Sequence, residues 1–257
     1  MFNEAIRPPL QNLPFILTGD KLSEIILEAL DREGIQLQDG DILVLAQKIV
    51  SKAEGRWFNL VEVMPSTKAV ELARQIEKDP RLVELILQES SEVLRTRPGT
   101  IIVEHKRGFV CANAGIDHSN VAGEGNTEAE WVLLLPEDPD QSAQKLREEI
   151  QAVKGVQIGV MIIDSHGRAW RLGVLGTTIG LAGMPGLVDL RGQPDLFGYT
   201  LRITQIAAAD ELAAAASLVM GQAAEGTPVV HVRGFPYKLR EGNLRELIRP
   251  KEQDMFR

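Results

Sequence analysis

The spacing of apolar residues in the first third of the chain predicts one helix and one buried strand. Apolar side chains recur at helical spacing over residues 21–35, and Gly34 ends that pattern. After a short turn, the apolar run at 42–50 predicts a buried strand. Its far end becomes polar at Gln47 and Lys48, so we expect these two side chains at the end of a strand.

The next segment predicts two helices and a hairpin. Ser66 is a suitable N-cap for a helix over 66–78, and the Asp-Pro pair at 79–80 ends that helix. A further helix is expected over 80–90. Residues 100–115 then predict two strands joined by a short turn.

The second half of the chain predicts strands, turns and an alanine-rich helix. Residues 156–174 predict a strand that ends in polar side chains and is followed by a turn. Frequent glycines over 176–198 indicate tight turns and loops rather than long helices. A helix is expected over 210–221, and residues 225–234 predict a turn and a further strand.

Strands and helices are mixed without a regular βαβ rhythm, which predicts the α+β class. The chain has 257 residues, enough for one large domain or two small ones. The sequence contains no obvious linker and no internal repeat. We therefore expect a single domain over residues 1–257, in which any two subdomains are interleaved.

The composition argues against several broad classes of function. Hydrophobic residues make up 44% and charged residues 25% of the chain, which is ordinary for a soluble globular protein. A net charge of -8 argues against a protein whose main task is to hold nucleic acid. The N-terminus lacks the pattern of a signal peptide, and no apolar run reaches the roughly 18 residues of a membrane helix. We expect a cytoplasmic protein with no nucleic-acid partner and no membrane contact.

Three polar clusters at the ends of apolar segments are candidates for chemistry. The first cluster contains Gln47, Lys48, Ser51, Lys52 and Glu54. Two lysines four residues apart could both face an anion such as a phosphate chain. The alternative interpretation is a solvated strand end without a ligand.

The second cluster, CANAGIDHSN at 111–120, places Asp117 and Asn120 among small residues. Alanine and glycine let a ligand approach the backbone closely, and a carboxylate is a hard oxygen donor for Mg²⁺ or Mn²⁺. The alternative is an Asx-turn in which Asp117 caps local amides. Cys111 is the single cysteine, so an internal disulfide is impossible, and we interpret it as a small buried hydrophobic residue.

The third cluster is Asp164 and Ser165, after the apolar run of a predicted strand. A carboxylate there can hold a magnesium ion beside a nucleotide, with the hydroxyl as a second oxygen ligand. The alternative is a cap at a strand end. His118 and His166 are interpreted as structural or surface residues, because no Cys or His pair has zinc-ligand spacing. Together the clusters contain the parts of a metal and nucleotide-phosphate site.

Four long segments also occur in a distinctive order. They are GDILVLAQKIVSKAEGR, GFVCANAGIDHSN, IIDSHGRAWRLGVLGTTIG and ADELAAAASLVMGQAAEGTPVV. From about Leu13 to Arg233 the chain resembles the coenzyme F420-0:L-glutamate ligase family. The resemblance implies an enzyme that joins L-glutamate to the terminal carboxylate of F420-0 and then adds a second glutamate through its gamma-carboxylate.

The resemblance also implies cofactors and an assembly. Its implications are GTP as co-substrate, Mg²⁺ or Mn²⁺ at two positions, and K⁺. They also include a homodimer of intertwined, two-part α+β subunits with the nucleotide site near the interface. Two alternatives stay open. One is a related nucleotide-dependent carboxylate-amine ligase with a different acceptor, and the other is a non-catalytic nucleotide-binding protein.

Position by position, the resemblance assigns roles to residues in several parts of the chain. The catalytic residues implied are Asp117, Asp164 and Lys52. The metal ligands implied are Asp117, Asp164, Ser165 and Gln222. The nucleotide-binding residues implied are Leu13, Pro14, Phe15, Ile16, Gln47, Lys48, Lys52, Asn120, Met220, Gly221, Gln222, Ala223, Ala224, Glu225, Gly226 and Thr227.

Two arginines form a separate hypothesis. A guanidinium group binds a carboxylate through two parallel hydrogen bonds, so Arg168 and Arg171 are candidates for holding the carboxylates of the substrates. The alternative is that they pair with the many acidic residues of the chain and support the fold.

Overall fold

The computed structural model describes residues 7–121 and 131–255. The helices are α1 (Leu22–Arg32), α2 (Gln47–Ala53), α3 (Thr67–Ile76), α4 (Pro80–Gln88), α5 (Pro139–Lys154) and α6 (Ala208–Met220). The strands are β1 (Ile42–Ala46), β2 (Trp57–Asn59), β3 (Ser90–Arg97), β4 (Thr100–His105), β5 (Val110–Ala112), β6 (Trp131–Leu133), β7 (Gly159–Gly167), β8 (Val174–Ala182), β9 (Val188–Asp189), β10 (Gln205–Ile206) and β11 (Val229–Val232). This mixture agrees with the predicted α+β class. None of the helices in the described ranges has the length and apolar character needed to cross a bilayer.

The central element is a four-stranded sheet in the order β11-β1-β7-β8. Strand β1 runs parallel to β7, pairing Ile42 with Gly159 and Ala46 with Ile163. The outer strands β11 and β8 are antiparallel to their neighbours. Strand β1 ends at Ala46, beside Ile163, whereas β7 continues along β8 to Gly167. Open sheets commonly bind ligands beyond the carboxyl ends of their parallel strands.

Strand β1 is covered on both faces, which explains its continuous apolar sequence. Leu43 and Leu45 pack in a core that includes α1 and α5. Ile42 and Val44 pack in a second core with α6. Alternate residues of a strand point to opposite faces, so each face of the sheet buries its own set of side chains.

Helices α3 and α4 pack on the three-stranded sheet β3-β4-β5 and form a separate core. This core contains Ile76, Ile86, Ile101 and Val132. Ser66 caps α3, as its position in the sequence predicts, by accepting a hydrogen bond from a backbone N–H of the first turn. Strands β2 and β6 form a two-stranded sheet that contributes to the same core.

Most of the predicted elements are confirmed to within a few residues at their ends. They are the helices predicted over 21–35, 66–78, 80–90 and 210–221, together with the hairpin over 100–115. Strand β3 was not predicted.

The strand predicted over 42–50 is shorter than expected, because it ends at Ala46. The pairing with β7 stops at that residue and Gln47 begins α2, although β7 itself continues along β8 to Gly167. Lys48 and Lys52 therefore lie on a helix and not at a strand end. Residues i and i+4 share one face of a helix, so both lysines face the same side.

The glycine-rich region 176–198 contains no long helix, as predicted, but its first part is strand β8 and not a loop. A Cβ atom on Gly176 would lie 2.4 Å from the backbone oxygen of Ala213 in α6. A Cβ atom on Gly180 would lie 2.4 Å from Pro139 in α5. These two glycines serve the close approach of helices to the strand, and the turn interpretation was wrong for them.

Candidate functional site

A cavity of about 480 Å³ opens at the carboxyl end of β1, beside residues 163–165 of β7. Its lining consists of residues 13–16, 46–49, 120, 163–165, 217 and 220–228. These include all the residues expected to bind the nucleotide except Lys52. The folded chain therefore brings distant segments of the sequence to one place.

Asp117 is fixed through both its backbone and its side chain. Its backbone N–H and oxygen each form a 2.9 Å hydrogen bond with the backbone of Leu133. The Nζ atom of Lys48 lies 2.8 Å from Oδ2, and Nε2 of Gln47 donates to the same oxygen at 2.6 Å. The hydroxyl of Ser51 donates to Oε1 of Gln47 at 2.8 Å, which orients the amide. The first turn of α2 thus holds one carboxylate oxygen of Asp117.

Lys52 and Asn120 connect α2 to the turn after α6. The Nζ atom of Lys52 donates to the backbone oxygen of Asn120 at 2.9 Å. Asn120 has a φ of 57°, a left-handed conformation that asparagine adopts more readily than most residues. Its side-chain amide donates to the backbone oxygen of Ala223 at 2.9 Å. Lys52 therefore stands next to the cavity lining, in contact with Asn120.

Asp164 and Ser165 were expected at the end of a strand, but they lie within β7, which continues to Gly167. The pairing with β8 is shifted between Ile162 and Ile163, just before them. Irregularities of this kind often re-aim side chains near functional sites. The Oδ2 atom of Asp164 lies 3.0 Å from Nε2 of His166, and both side chains are almost completely buried.

A chain of polar side chains links β7 to α6 and to the turn that follows it. The hydroxyl of Ser165 donates to Oε1 of Gln222 at 2.7 Å, and Nε2 of Gln222 donates to Oγ of Ser217 at 2.7 Å. In the same turn, Oε2 of Glu225 accepts from the backbone N–H of Ala223 at 2.8 Å. This contact lowers the pKa of Glu225. A backbone N–H that binds a carboxylate is also suited to a phosphate oxygen.

The charges at the site are incompletely balanced. Burial raises the pKa of Asp117, and the charge of Asp164 adds to that rise, although Lys48 opposes it. Burial also acts upward on the pKa of Asp164, but its contacts, above all with His166, outweigh this and lower it. Burial and the nearby ammonium of Lys48 lower the pKa of Lys52. A bound cation and a bound phosphate would each relieve part of this repulsion.

The expected metal ligands share one chemical property. Within residues 7–121 and 131–255, no group of three or more His, Cys, Asp or Glu side chains forms a metal site. The expected set is instead mixed, with the carboxylates of Asp117 and Asp164, the hydroxyl of Ser165 and the amide oxygen of Gln222. All are oxygen donors, which Mg²⁺ and Mn²⁺ prefer. Gln47 and Lys48 both contact Oδ2 of Asp117, so Oδ1 is the oxygen that a cation could take.

Arg168 and Arg171 lie on the turn between β7 and β8, where both are exposed. Neither belongs to the cavity lining in the described part of the chain. The Nη1 atom of Arg168 donates to the backbone oxygen of Gly173 at 3.3 Å. Their role in holding substrate carboxylates stays a hypothesis.

Sequence reasoning assigned no site role to His166 or Ser217. His166 stands two residues after Asp164, so both side chains point to the same face of β7. That spacing is a signal that could have found it. Ser217 contacts Gln222 across the end of α6, and the sequence carries no comparable signal for this contact.

Comparisons with known proteins cover nearly the whole chain. The family model described as F420-0:Gamma-glutamyl ligase matches residues 11–234. The Coenzyme F420:L-glutamate ligase of Methanothermobacter thermautotrophicus is 47% identical over 249 residues, which are 96% of each chain. The protein of that name from Methanocaldococcus jannaschii is 43% identical over 247 residues, 95% of this chain and 94% of the relative. The one from Methanopyrus kandleri is 47% identical over 243 residues, 93% of this chain and 92% of the relative. With matches of this extent, the chain belongs to the F420-0:gamma-glutamyl ligase family.

Proposed function

We propose that the chain is a GTP-dependent ligase that joins L-glutamate to the terminal carboxylate of coenzyme F420-0. A second glutamate is then added through the gamma-carboxylate of the first. The observation that carries the proposal is one cavity lined by the distant segments that the family resemblance assigns to the nucleotide. Relatives that match nearly the whole chain carry the name of this activity, which supports the choice of substrates.

The reaction requires an activated carboxylate. A free carboxylate does not react with an amine near neutral pH because oxide would have to leave. In the proposed reaction, a carboxylate oxygen of the acceptor attacks the γ-phosphorus of GTP, GDP leaves, and an acyl phosphate forms. The deprotonated amine of L-glutamate then attacks the acyl carbon, and inorganic phosphate leaves. Water has to be kept out, since it would hydrolyse the acyl phosphate.

The two lysines of α2 are proposed to bind the phosphates. Lys48 and Lys52 share one face of the helix. Lys48 lines the cavity itself, and Lys52 contacts Asn120, which also lines it. Their positive charges would offset the triphosphate without competing for a metal ion. The backbone N–H of Ala223, which contacts Glu225, is a further candidate partner for a phosphate oxygen.

Asp117 and Asp164 are proposed to hold the first divalent cation, and Ser165 and Gln222 a second one. When bound, Mg²⁺ or Mn²⁺ supplies charge stabilisation to the transferring phosphoryl group. Lys48 opposes the effect of burial on Asp117 and so favours the ionised carboxylate that a cation needs. The proposal includes K⁺, to which we assign no residue.

A homodimer is part of the proposal. Leu196, Phe197 and Ile203 lie between β9 and β10 and are 97%, 95% and 87% exposed. Phe15, which lines the cavity, is 96% exposed. Large apolar side chains that are exposed together commonly mark interaction surfaces. Light scattering should give twice the mass of one chain, and a fully active monomer would contradict the assembly.

The test of the activity is mass spectrometry of a reaction that contains the protein, F420-0, L-glutamate, GTP and Mn²⁺. We expect the mass of F420-0 to increase by one or more glutamyl units. The gain should disappear when GTP is omitted or when Asp117 is replaced by Asn. The exposed Asp189→Asn variant is the matched control and should retain the gain. Replacing GTP by ATP in a parallel reaction measures the nucleotide preference.

Two other outcomes would change the assignment. Release of GDP with another carboxylic acid, but no gain on F420-0, would indicate a related ligase with a different acceptor. Binding of GTP without turnover on any acid would indicate a nucleotide-binding protein that lacks catalysis.

A further inference from the structure

The carboxylate of Asp164 is contacted from one side by a buried histidine. Asp164 and His166 are two residues apart on β7, and their side chains point to the same face. The distance from Nε2 of His166 to Oδ2 of Asp164 is 3.0 Å, an ion-pair distance without the geometry of a hydrogen bond, and the side chains are 9% and 10% exposed. The terminal torsion of an aspartate is broad when nothing restrains it, so this contact limits how the carboxylate can rotate.

His166 is itself packed by an aromatic pair from the β4-β5 hairpin. The ring centre of Phe109 lies 5.5 Å from that of His166, with the planes inclined by 35°. His105 stacks on Phe109 at 4.7 Å with 5° between the planes. The Nδ1 atom of His105 accepts a hydrogen bond from the backbone N–H of Arg107 at 3.1 Å. The three-stranded sheet thereby fixes a side chain of the central sheet.

We propose that His166 is a positioning residue for Asp164. It holds Oδ2, so that Oδ1 is presented to the divalent cation of the proposed site. This role rests on the proposed function, because it requires a metal ion at Asp164. Lys48 also acts on the charge of Asp164, but it contacts Asp117 at 2.8 Å and does not set the orientation. Residues that orient a metal ligand typically change metal affinity by about 10- to 100-fold when they are replaced.

The competing interpretation is that His166 only fills the space beside Phe109. Two substitutions separate the two roles. His166→Phe keeps an aromatic ring against Phe109 but removes Nε2. His166→Gln removes the ring but keeps an N–H donor of similar reach. If packing alone matters, Phe is the better replacement, whereas Gln is better if the position of Asp164 matters.

The experiment is a titration of the full chain with Mn²⁺, in which the electron paramagnetic resonance signal reports free Mn²⁺. We expect His166→Phe to weaken Mn²⁺ binding at least about 10-fold and His166→Gln to stay within about 3-fold of the wild type. In the ligase reaction, the loss in His166→Phe should lie in the Mn²⁺ activation constant. The rate at saturating Mn²⁺ should be retained. Thermal unfolding of each variant reports whether packing has changed.

Wild-type Mn²⁺ affinity in His166→Phe would overturn the proposal, and so would weaker binding by the Gln variant than by the Phe variant. A wild-type protein that binds no Mn²⁺ would overturn the proposed metal site itself, and this result needs no variant. If His166→Phe does not fold, Phe109→Leu decides the question. Loosening the ring beside His166 should weaken Mn²⁺ binding about 3-fold, and unchanged affinity would overturn the role.

Discussion

A carboxylate lies near each end of β1, buried in the case of Asp41 and half-buried in the case of Asp117, and the surroundings of the two differ. At the amino end, Asp41 accepts hydrogen bonds from Nε and Nη2 of Arg233 at 2.9 and 2.7 Å. Its Oδ2 atom lies 2.8 Å from Nε2 of His231, and the backbone N–H of Gln38 donates to the same oxygen at 2.9 Å. Burial alone would raise the pKa of Asp41, but these contacts outweigh it and lower the pKa.

At the carboxyl end, the balance for Asp117 has the opposite sign. Its contacts with Gln47 and Lys48 do not offset burial and the charge of Asp164, so its pKa is raised. The fold stabilises the charged form of Asp41, whereas Lys48 compensates the charge of Asp117 only in part, and the cation of the proposed function would add to that compensation. Incomplete compensation of this kind is typical of functional sites, where the ligand completes it. We therefore expect Asp41 to matter for stability and Asp117 for the proposed function.

The largest expected effect is on activity at the carboxyl end. Asp117→Asn removes a charge that would hold the cation, and we expect the ligase rate to fall at least about 1000-fold, roughly 4 kcal/mol. The free energy of unfolding should change by less than about 1 kcal/mol, because the repulsion with Asp164 also disappears. Mass-spectrometric rates and urea unfolding of the same preparation measure both quantities. Strong destabilisation of this variant would contradict the difference between the two ends.

The reverse result is expected at the amino end. Asp41→Asn leaves Arg233 and His231 without their charged partner, and breaking such a buried cluster costs about 3 kcal/mol of unfolding free energy. The ligase rate per folded molecule should stay within about twofold of the wild-type rate, because the change does not touch the proposed site. Asp189→Asn is the control, because Asp189 is also paired with an arginine, Arg191, but is exposed. Loss of activity in folded Asp41→Asn would show that the two ends are coupled.

The carboxyl end could be predicted from the sequence more fully than the amino end. Asp164 follows an apolar run and Asp117 lies among small residues, and both patterns are local signals. The contact between Asp41 and His231 joins residues that are far apart, and it depends on the register of β11 against β1. Register is set by the packing of the whole sheet, so no short pattern reveals this pair.

The same distinction between local and tertiary causes applies to the fold. Helix signals are local. The spacing of apolar residues predicted α1, and Ser66 with the Asp-Pro pair at 79–80 predicted α3. Gly176 and Gly180 were misinterpreted as loop residues. They are glycines because α6 and α5 approach the strand closely at these positions, and glycine content alone does not separate that cause from a loop. The end of β1 at Ala46 likewise coincides with the end of its pairing with β7, a contact that the sequence around Ala46 does not reveal.

A smaller effect is expected in the pH dependence of stability. The pKa of Asp41 is lowered in the folded state, so its contribution is complete above the unfolded value of about 4 and is lost as the pH falls further. The stability difference between wild type and Asp41→Asn should therefore shrink below about pH 4. Urea unfolding at a series of pH values measures it.

The exposed acid provides the control for this pH dependence. Hydrogen bonding to Arg191 lowers the pKa of Asp189 to about 2, but solvent screens an exposed pair. Asp189→Asn should therefore change stability little at any pH. If the stability difference between wild type and Asp41→Asn stays the same at acidic pH, then lost packing, and not lost charge, causes the destabilisation.

The smallest expected effect concerns the outer limit of the site at the carboxyl end. Arg168 is exposed on the turn after β7, so Arg168→Ala should change the KM for L-glutamate by less than about twofold, with the exposed Arg74→Ala on α3 as its matched control. A tenfold rise in KM with kcat unchanged would instead support a guanidinium that binds a substrate carboxylate. Because Arg168 lies outside the cavity lining of its own chain, that result would mean that the site extends beyond this cavity. The exposed turn would then have to meet the substrate at the surface of a second copy, which connects the measurement to the proposed homodimer.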